Sequence, residues 1–191
     1  MTDFVLVHGA WHGGWCWQAL EPFLRAQGHN THAIDLTGLG ARSHLLSADI
    51  TADTHVLDVV NYIKWHDLKD VCLVGHSYGG NIITGAAGQV PEAIASMVYL
   101  DAQVPFETGY SLQKTANPAR WAGFQKQIDA GAVGVEADLF HAWSDKPETI
   151  AWLKTKCTPH PAGCMTSGVT LTGREAEVAR KLYILAARNK G

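Results

Sequence analysis

The sequence predicts an α/β fold in which a mostly parallel sheet is flanked by helices. Apolar runs of strand length alternate with segments of helical spacing, and glycine-rich turns follow several of these runs. Such alternation is typical of βαβ units, in which helices join parallel strands. The 191 residues are 47% hydrophobic and 17% charged. Because this is an ordinary globular composition, we expect one domain over residues 1–191.

The first strand–helix pair lies at the start of the chain. Residues 4–7 form a short apolar run that ends at a glycine-rich turn, which indicates a buried strand. Residues 15–26 have helical spacing and end at Gly28, a typical C-terminal residue. The predicted apolar face of this helix consists of Trp17, Leu20, Phe23 and Leu24.

The second pair follows directly. Residues 32–36 predict a strand, and residues 51–66 predict a helix that Thr51 or Asp53 caps. The inner stripe of that helix is made by Val56, Val59, Val60 and Ile63. A third strand over 70–74 leads into a glycine-rich turn and a helix over 81–89, whose small residues suit close packing.

Beyond a fourth strand at 95–100 the pattern changes. Residues 105–168 contain short amphipathic pieces separated by prolines and no run typical of a strand, so we interpret them as a helical cap insertion. A helix over 175–180 and a fifth strand over 182–187 complete the predicted elements.

The most specific chemical motif is Gly75-His76-Ser77-Tyr78-Gly79. It matches G-x-S-x-G and lies between a predicted strand and a predicted helix, the context of a nucleophile elbow. A sharp turn at this point lifts the serine hydroxyl out of the sheet. The alternative, a glycine-rich turn that binds phosphate or merely turns, leaves the second motif below unexplained.

That second motif is His8-Gly9-Ala10, at the end of the first predicted strand. Serine hydrolases with an elbow use two backbone N–H groups as an oxyanion hole. One belongs to the residue after the nucleophile, here Tyr78, and the other to the first strand-to-helix loop. We therefore expect Ala10 and Tyr78 to be the two donors.

The chain resembles the small α/β-hydrolases that include plant methylesterases and hydroxynitrile lyases, and it looks closest to their bacterial esterase-like relatives. The resemblance rests on residues 7–17, VHGAWHGGWCW, on residues 35–40, DLTGLG, and on the elbow. It implies that Ser77 is the nucleophile, that Ala10 and Tyr78 form the oxyanion hole, and that His12 lines the pocket. It also implies hydrolysis of small, mostly apolar esters, or cyanohydrin cleavage, without a cofactor.

The resemblance also implies a catalytic acid and a histidine later in the chain. Relatives place the acid just after the strand that corresponds to 183–185, and Asn189 stands at that position. We therefore expect Asp101, at the carboxyl end of the fourth strand, to be the acid; the alternative is a residue that only ends a strand.

No histidine follows His160, although a triad on this scaffold ends with one. His12, His76, His141 and His160 are weak candidates for the base; we expect His76 to point away from the pocket and His141 to lie on the surface. The chain therefore resembles a member that lacks its last strand and histidine loop, which suggests truncation or completion by a partner. We expect the exposed fifth strand to promote homo-oligomers.

Five cap aromatics at helical spacings are candidates for an apolar pocket, although most are expected simply to pack the cap. They are Trp121, Phe124, Phe140, Trp143 and Trp152. Among them we select Trp143 as a pocket residue. Arg120 is expected to be solvated surface, and no anion-binding cluster is evident, so small neutral or weakly polar esters are the expected substrates.

Several classes are disfavoured. A net charge of −3 gives no footprint for nucleic acid or anionic membrane. No apolar run approaches the roughly 18 residues of a membrane span, and the acidic N-terminus does not fit a signal peptide, so we expect a cytoplasmic protein. The four cysteines lack metal-ligand spacing, and only Cys157 and Cys164 are expected to be able to pair, in an oxidising setting.

Three functions therefore remain open: a serine esterase, a cyanohydrin lyase, and a non-catalytic shell that binds a small ligand. The lyase is disfavoured because its chemistry wants a positive group in the pocket, usually lysine, and no lysine adjoins the predicted site loops. The absent histidine makes the non-catalytic shell a serious alternative, but the expected function is a serine esterase, with activity reduced or lost if no other base replaces that histidine.

Overall fold

The structure is a computed structural model, and it describes residues 1–138 and 140–187. Its strands are β1 (Asp3–Val7), β2 (Asn30–Ile34), β3 (Val71–His76), β4 (Ile94–Leu100), β5 (Gly134–Val135), β6 (His160–Pro161) and β7 (Lys181–Ile184). The main sheet has the order β2-β1-β3-β4-β7, and each neighbouring pair in it is parallel. The predicted α/β class with a mostly parallel sheet is confirmed.

Helices connect these strands. They are α1 (Glu21–Ala26), α2 (Ala52–Trp65), α3 (Gly79–Gln89), α4 (Leu112–Thr115), α5 (Pro118–Asp129), α6 (Phe140–Trp143), α7 (Pro147–Lys156) and α8 (Ala162–Thr166). Short 3-10 turns lie at Gly14–Trp17, Gly40–Leu45, Pro91–Ala93 and Arg174–Glu177. In the part of the chain that the structure describes, no helix is both long and apolar enough to cross a bilayer.

The two faces of the sheet bury alternate residues of the same strands. In β1, Val5 and Val7 join the larger core, while Leu6 joins a smaller core on the opposite face. This alternation follows from the period of two in a strand. The larger core includes buried residues of α2 and α3, and the smaller includes Trp17 and Leu24 from the segment around α1.

Helix α2 agrees closely with its prediction. The hydroxyl of Thr51 accepts a hydrogen bond from the Thr54 N–H, and the Thr54 hydroxyl accepts one from the Thr51 N–H, which makes a reciprocal cap. The four residues of the predicted inner stripe are all buried. Thr51, rather than Asp53, is therefore the N-cap of the helix.

The predicted helix over 15–26 is wrong in its extent. The structure has a 3-10 turn over Gly14–Trp17, and α1 begins only at Glu21. A continuous helix would need an N–H from Pro22 to bond the Gln18 carbonyl, and proline has none. Phe23, predicted to be on the apolar face, is 73% exposed.

The C-terminal elements are shorter than predicted. The helix expected over 175–180 is the 3-10 turn Arg174–Glu177, and the strand expected over 182–187 is β7, Lys181–Ile184. Asn189, the position aligned with the acid of the relatives, lies outside the described residues.

Between β4 and the last 3-10 turn, residues 105–168 carry α4 to α8, and we call them the cap segment. The structure adds a feature that the sequence did not predict: β5 and β6 form a small antiparallel pair. Strands of two residues are too short to show any periodicity, which explains the omission. The assignment of one domain over 1–191 stays a prediction.

Candidate active site

Ser77 occupies a tight turn between β3 and α3. Its φ is 52°, in the left-handed region that a non-glycine residue rarely adopts. The turn is held through the Ser77 carbonyl, which accepts hydrogen bonds from the Gly80 N–H at 3.1 Å and the Gln103 N–H at 3.0 Å. Strained backbone of this kind is typical of functional sites and fits a nucleophile elbow.

Gly79 lets α3 lie close to the end of β1. A Cβ at this position would be 2.6 Å from the Val7 carbonyl oxygen and 2.8 Å from that of His8. Neither backbone atom can move aside cheaply, so only glycine permits this approach. The same approach brings the elbow next to the loop after β1.

Ala10 and Tyr78 each carry a backbone N–H without a partner. Ala10 is 4% exposed and Tyr78 1% exposed, and within residues 1–138 and 140–187 neither N–H donates a hydrogen bond. Buried backbone N–H groups are nearly always paired. Two unpaired donors, one directly after Ser77 and one on the wall of the adjacent cavity, suit a ligand oxygen.

His8 fixes the loop that carries Ala10. The Leu36 N–H donates to His8 Nε2 at 3.2 Å, so Nδ1 carries the proton and donates to the Gly9 carbonyl at 2.8 Å. Burial lowers the pKa of His8 to about 3, so the ring is neutral near pH 7. His8 is thus a structural residue beneath the loop.

Trp11 ties the same loop to the cap segment. Its φ is 64°, also in the left-handed region. The indole N–H donates to the Val135 carbonyl at 2.7 Å, and the Trp11 carbonyl accepts from the Thr158 N–H at 3.0 Å. Because these bonds flank Ala10, the position of that donor depends on both parts of the chain.

Asp101 lies at the carboxyl end of β4, as predicted, and lines the same cavity as Ser77. Its φ is 44°. Its N–H donates to the Ile184 carbonyl at 2.7 Å, and its Oδ1 accepts from the Ala186 N–H at 3.3 Å. The carboxylate therefore also accepts a hydrogen bond from the segment that follows β7. Its role as catalytic acid stays a prediction.

A cavity of about 300 Å³ opens over Ser77. The body contributes Gly9, Ala10, Trp11, His12, His76, Ser77, Asp101 and Gln103 to its walls; the cap segment contributes Leu112, Thr115, Ala116, Asn117, Arg120, Phe124, Ala142, Trp143 and Met165. Of the five candidate cap aromatics, Phe124 and Trp143 line the cavity. Its size fits a small organic substrate.

His12 and Trp143 meet at the wall of this cavity. Their ring centroids are 4.9 Å apart in an edge-to-face arrangement, and His12 also stacks on Trp15 at 5.2 Å. The Ala10 carbonyl can only accept, so His12 Nδ1 carries a proton and donates to it at 2.8 Å. This leaves Nε2 with a free lone pair. Burial lowers the pKa of His12.

His76 is among the residues that line the cavity, and its ring centroid lies 6.4 Å from that of Trp17 in the smaller core. That its side chain points away from the pocket stays a prediction. The structure places its ring centroid 6.2 Å from that of His12. Burial lowers the pKa of His76 to about 4, so it is neutral near pH 7. His141 is exposed, as expected, and His160 is fully buried against the Tyr78 ring. Within the described residues, no histidine is hydrogen-bonded to Ser77 Oγ.

Arg120 is exposed, as expected. It is also among the residues that line the cavity, which the sequence did not indicate. Among the ion pairs of the described residues, none includes Arg120.

No group of three or more His, Cys, Asp or Glu side chains in residues 1–138 and 140–187 is arranged to hold a metal ion. All four cysteines, including Cys157 and Cys164, are free thiols.

Sequence analysis missed two residues behind Tyr78. His55 contacts the Tyr78 hydroxyl, and the Thr37 carbonyl in turn contacts His55. His55 is fully buried on α2, and its Nδ1 lies 3.0 Å from the Tyr78 hydroxyl. One feature points to it: His55 falls within the apolar stripe of α2, where a polar residue needs a buried partner. Nothing in the sequence identifies the partner.

A parallel sheet with a serine at a positive φ in the strand-to-helix turn is the arrangement typical of α/β proteins with a nucleophile elbow. The chain belongs to the alpha/beta hydrolase family, whose family model matches residues 4–189. The resemblance to methylesterase-like α/β-hydrolases inferred from the motifs is thereby confirmed.

Relatives of known activity include hydrolases and a lyase. The chain is 40% identical over 198 aligned positions to a carbendazim hydrolyzing esterase from Nocardioides sp. (strain SG-4G), covering 97% of this chain and 80% of the esterase. It is 37% identical over 106 positions to an alpha-hydroxynitrile lyase from Arabidopsis thaliana, covering 55% of this chain and 41% of the lyase. The first match supports an esterase-type hydrolase.

Solved structures show the same fold. An extracellular α/β-hydrolase from a Paenibacillus species superposes with a TM-score of 0.85 at 27% identity, covering 100% of this chain and 81% of that one. That protein is described as sharing structural and functional homology with tobacco salicylic acid binding protein 2.

Proposed function

We propose that the protein is a serine esterase that hydrolyses small neutral or weakly polar esters through an acyl-enzyme on Ser77. The observation that carries the proposal is that the N–H groups of Ala10 and Tyr78, beside a serine with a φ of 52°, have no hydrogen-bond acceptor among the residues that the structure describes. A carbonyl oxygen that becomes an oxyanion when Ser77 attacks would satisfy both donors.

The proposed reaction has two halves. Ser77 Oγ attacks the ester carbonyl carbon while a base takes the hydroxyl proton, and the tetrahedral oxyanion is stabilised by the two N–H groups. The C–O bond to the alcohol then breaks, and the protonated base gives its proton to the departing oxygen. Water attacks the acyl-enzyme by the same route and releases the acid and free Ser77.

The base must be neutral before it accepts the proton. His12 and His76 both line the cavity and have pKa values lowered by burial, so both are neutral near pH 7. His12 in addition presents an unprotonated Nε2, because its Nδ1 proton is bonded to Ala10. Asp101 is the proposed acid, and its charge only partly offsets the lowering of the His76 pKa by burial.

The cavity supports small esters as substrates. Phe124 and Trp143 supply apolar surface from the cap segment, and the volume of about 300 Å³ fits a small organic molecule. The bacterial relative is named for its action on carbendazim. We therefore choose p-nitrophenyl acetate as the first substrate and carbendazim as the second.

The test is hydrolysis of p-nitrophenyl acetate by the wild type, by Ser77→Ala and by the control Ser43→Ala, which changes an exposed serine. We expect loss of turnover in Ser77→Ala alone, and an acetylated Ser77 peptide in a mass spectrum of the quenched wild type. Equal rates in all three proteins would overturn the proposal.

The variants His12→Gln and His76→Gln identify the base in the same assay. A loss of about 10²-fold or more in one of them assigns the proton transfer to that residue. Full activity in both would mean that the base is neither of the two histidines that line the cavity.

Cyanohydrin cleavage is the second candidate, and Arg120 favours it. This chemistry needs a positive group in the pocket, and Arg120 lines the cavity. Release of benzaldehyde from mandelonitrile that exceeds ester turnover, and that is lost in Arg120→Gln, would favour the lyase. A non-catalytic shell would instead bind either substrate without turning it over, and its Ser77 would not react with a fluorophosphonate probe.

A further inference from the structure

A chain of buried hydrogen bonds lies behind the oxyanion donor Tyr78. The Tyr78 side chain points away from the cavity, and its hydroxyl lies 3.0 Å from His55 Nδ1. On the other side of the ring, His55 Nε2 lies 2.8 Å from the Thr37 carbonyl. Tyr78 and His55 are 1% and 0% exposed, so water does not compete for these bonds.

The Thr37 carbonyl decides which atom donates in each of these hydrogen bonds. A carbonyl oxygen can only accept, so His55 Nε2 carries the proton and donates to Thr37. Burial lowers the pKa of His55 to about 4 and keeps the ring neutral. Nδ1 is therefore an acceptor, and the Tyr78 hydroxyl donates to it. The three groups satisfy one another in this arrangement, and the Cys164 thiol packs beside them, with its Sγ 3.6 Å from His55 Nδ1.

Thr37 is itself held in place. Its N–H and its hydroxyl donate to Asp58 at 2.7 and 2.8 Å, and Arg42 donates to the same carboxylate at 2.7 Å. Asp58 and His55 both belong to α2. The carbonyl that orients His55 is thus anchored to the helix that carries His55.

Tyr78 is the residue through which side-chain contacts can fix the backbone just after Ser77. Gly79 and Gly80 follow it, so Tyr78 supplies the only side chain between Ser77 and Asn81. Gly79 and Gly80 begin α3 and have no side chains of their own that could hold this end of the helix. The Tyr78 ring, held by hydrogen bonds, is the side chain that can do so one residue after Ser77.

We propose that His55 is a positioning residue, which with Thr37 holds the Tyr78 ring so that the Tyr78 N–H stays at the oxyanion site. This inference rests on the proposed esterase function for its kinetic consequence. It differs from a purely structural role, in which the hydrogen bonds stabilise the fold but leave the geometry of the site unchanged.

The molecule contains a matched control for this role. His32 Nε2 lies 2.9 Å from Asp3 Oδ1, and His32 Nδ1 lies 3.1 Å from the Tyr62 hydroxyl. This is the same order of acceptor, histidine and tyrosine, and Tyr62 lies on the same helix as His55. None of the three residues lines the cavity over Ser77. Tyr62→Phe therefore removes an equivalent bond without touching the site.

The experiment compares Tyr78→Phe, His55→Gln and Tyr62→Phe with the wild type. We expect kcat for p-nitrophenyl acetate to fall about 10- to 100-fold in the first two with KM within about threefold, because a misplaced oxyanion donor acts in the transition state. Tyr62→Phe should keep kcat within about twofold. Equal kcat in Tyr78→Phe and the wild type would overturn the inference, as would an equal loss in Tyr62→Phe.

A second measurement keeps the inference separate from the esterase proposal. The Gly80 and Asn81 amides donate to the Ser77 and Tyr78 carbonyls, so their hydrogen exchange reports on the elbow itself. We expect faster exchange in Tyr78→Phe and His55→Gln but not in Tyr62→Phe. If the wild type does not turn over esters, the proposed function fails, and unchanged exchange in both test variants overturns the positioning role as well. Should Tyr78→Phe not fold, His55→Gln alone decides between the same outcomes.

Discussion

The body, residues 1–104, and the cap segment form opposite walls of one cavity but differ in how tightly they are built. In α3, every residue from Gly79 to Gly88 is buried, and β3 is buried from Val71 to Gly75. In the cap segment, α5 buries only Phe124, and α4 and α6 bury no residue that the structure describes. The body therefore fixes the reacting groups, while the cap segment shapes the space above them.

The difference shows at single glycines. A Cβ on Gly80 would meet the Gln103 carbonyl oxygen and lie 2.9 Å from the Ala102 Cβ, whereas a Cβ on Gly123 of α5 would meet nothing within 4 Å. Close packing thus forbids a methyl group at Gly80 that the exposed side of α5 accommodates at Gly123; the cap segment is as closely packed as Gly80 at Gly163 and Gly168. Substitutions of equal size should therefore have opposite effects at Gly80 and Gly123.

We expect the largest effect from Gly80→Ala. Overpacking against backbone should lower the free energy of unfolding by about 2–3 kcal/mol or more, whereas Gly123→Ala should raise it by about 0.5–1 kcal/mol because alanine is favoured inside a helix. Urea unfolding of both variants measures these changes. Equal effects of the two substitutions would contradict the contrast in packing between Gly80 and Gly123.

Acid should destabilise the protein through the buried histidines of the body. The pKa of His8 is lowered to about 3 and those of His55 and His76 to about 4, all by burial, against an ordinary value of 6.5. Between about pH 6.5 and 4 the unfolded chain binds protons that the folded chain does not. The contribution of these neutral histidines to the free energy of unfolding is therefore fully present above about pH 6.5 and is lost as the pH falls.

The change in the free energy of unfolding per pH unit, here called the slope, can be measured. Each such histidine contributes up to about 1.4 kcal/mol per pH unit to the free energy of unfolding. His8→Asn should make the slope between pH 4 and 6 shallower by about that amount, and the control His141→Gln, at an exposed cap position, should leave it unchanged. An identical slope in His8→Asn would refute the assignment of a neutral buried His8.

Trp143→Ala tests the cap segment as the wall that recognises substrate. Because Trp143 offers apolar surface to substrate and transition state alike, we expect KM to rise about three- to tenfold with kcat within about threefold. Trp152→Ala is the control, since Trp152 is 44% exposed and does not line the cavity. A fall in kcat at unchanged KM would instead place Trp143 in the chemistry of the body.

The smallest expected effect concerns the edge of the sheet. Leu182, Tyr183, Ile184 and Leu185 are 44–68% exposed, and β7 pairs only with β4 among the residues that the structure describes. An open apolar edge favours pairing between molecules. We propose weak self-association through β7, to be measured by sedimentation at rising concentration.

Two lysine variants sharpen that test. Leu182→Lys on β7 should reduce the association, and Leu57→Lys on α2, at a residue of similar exposure (47%), should not. A wild type that remains monomeric at the highest concentration would rule out the β7 interface.

The sequence predicted the body better than the cap segment, and particular elements show why. Strand β4 and helix α2 agree with prediction to within one residue, because a stripe of apolar residues records one buried face directly. The helix over 15–26 was wrong although Pro22 marks its interruption. The β5–β6 pair left no pattern, since strands of two residues are too short for one.

The candidate site divides in the same way. The candidate nucleophile Ser77 and the candidate donors Ala10 and Tyr78 were predicted from motifs, because a nucleophile elbow and its oxyanion loop are local in sequence. The placement of His76 and Arg120 on the cavity wall did not follow, since it depends on where other segments pack. His55 and Thr37 were missed for the same reason.

By itself, the sequence determined the class of fold, the nucleophile candidate and the two backbone donors, because each depends on periodicity or on a few adjacent residues. The tertiary structure decided which side chains share the cavity and which hold Tyr78 from behind. The His55–Tyr78 bond spans 23 residues and the Trp11–Val135 bond spans 124. Contacts of that range form only when the elements pack, so no local pattern encodes them.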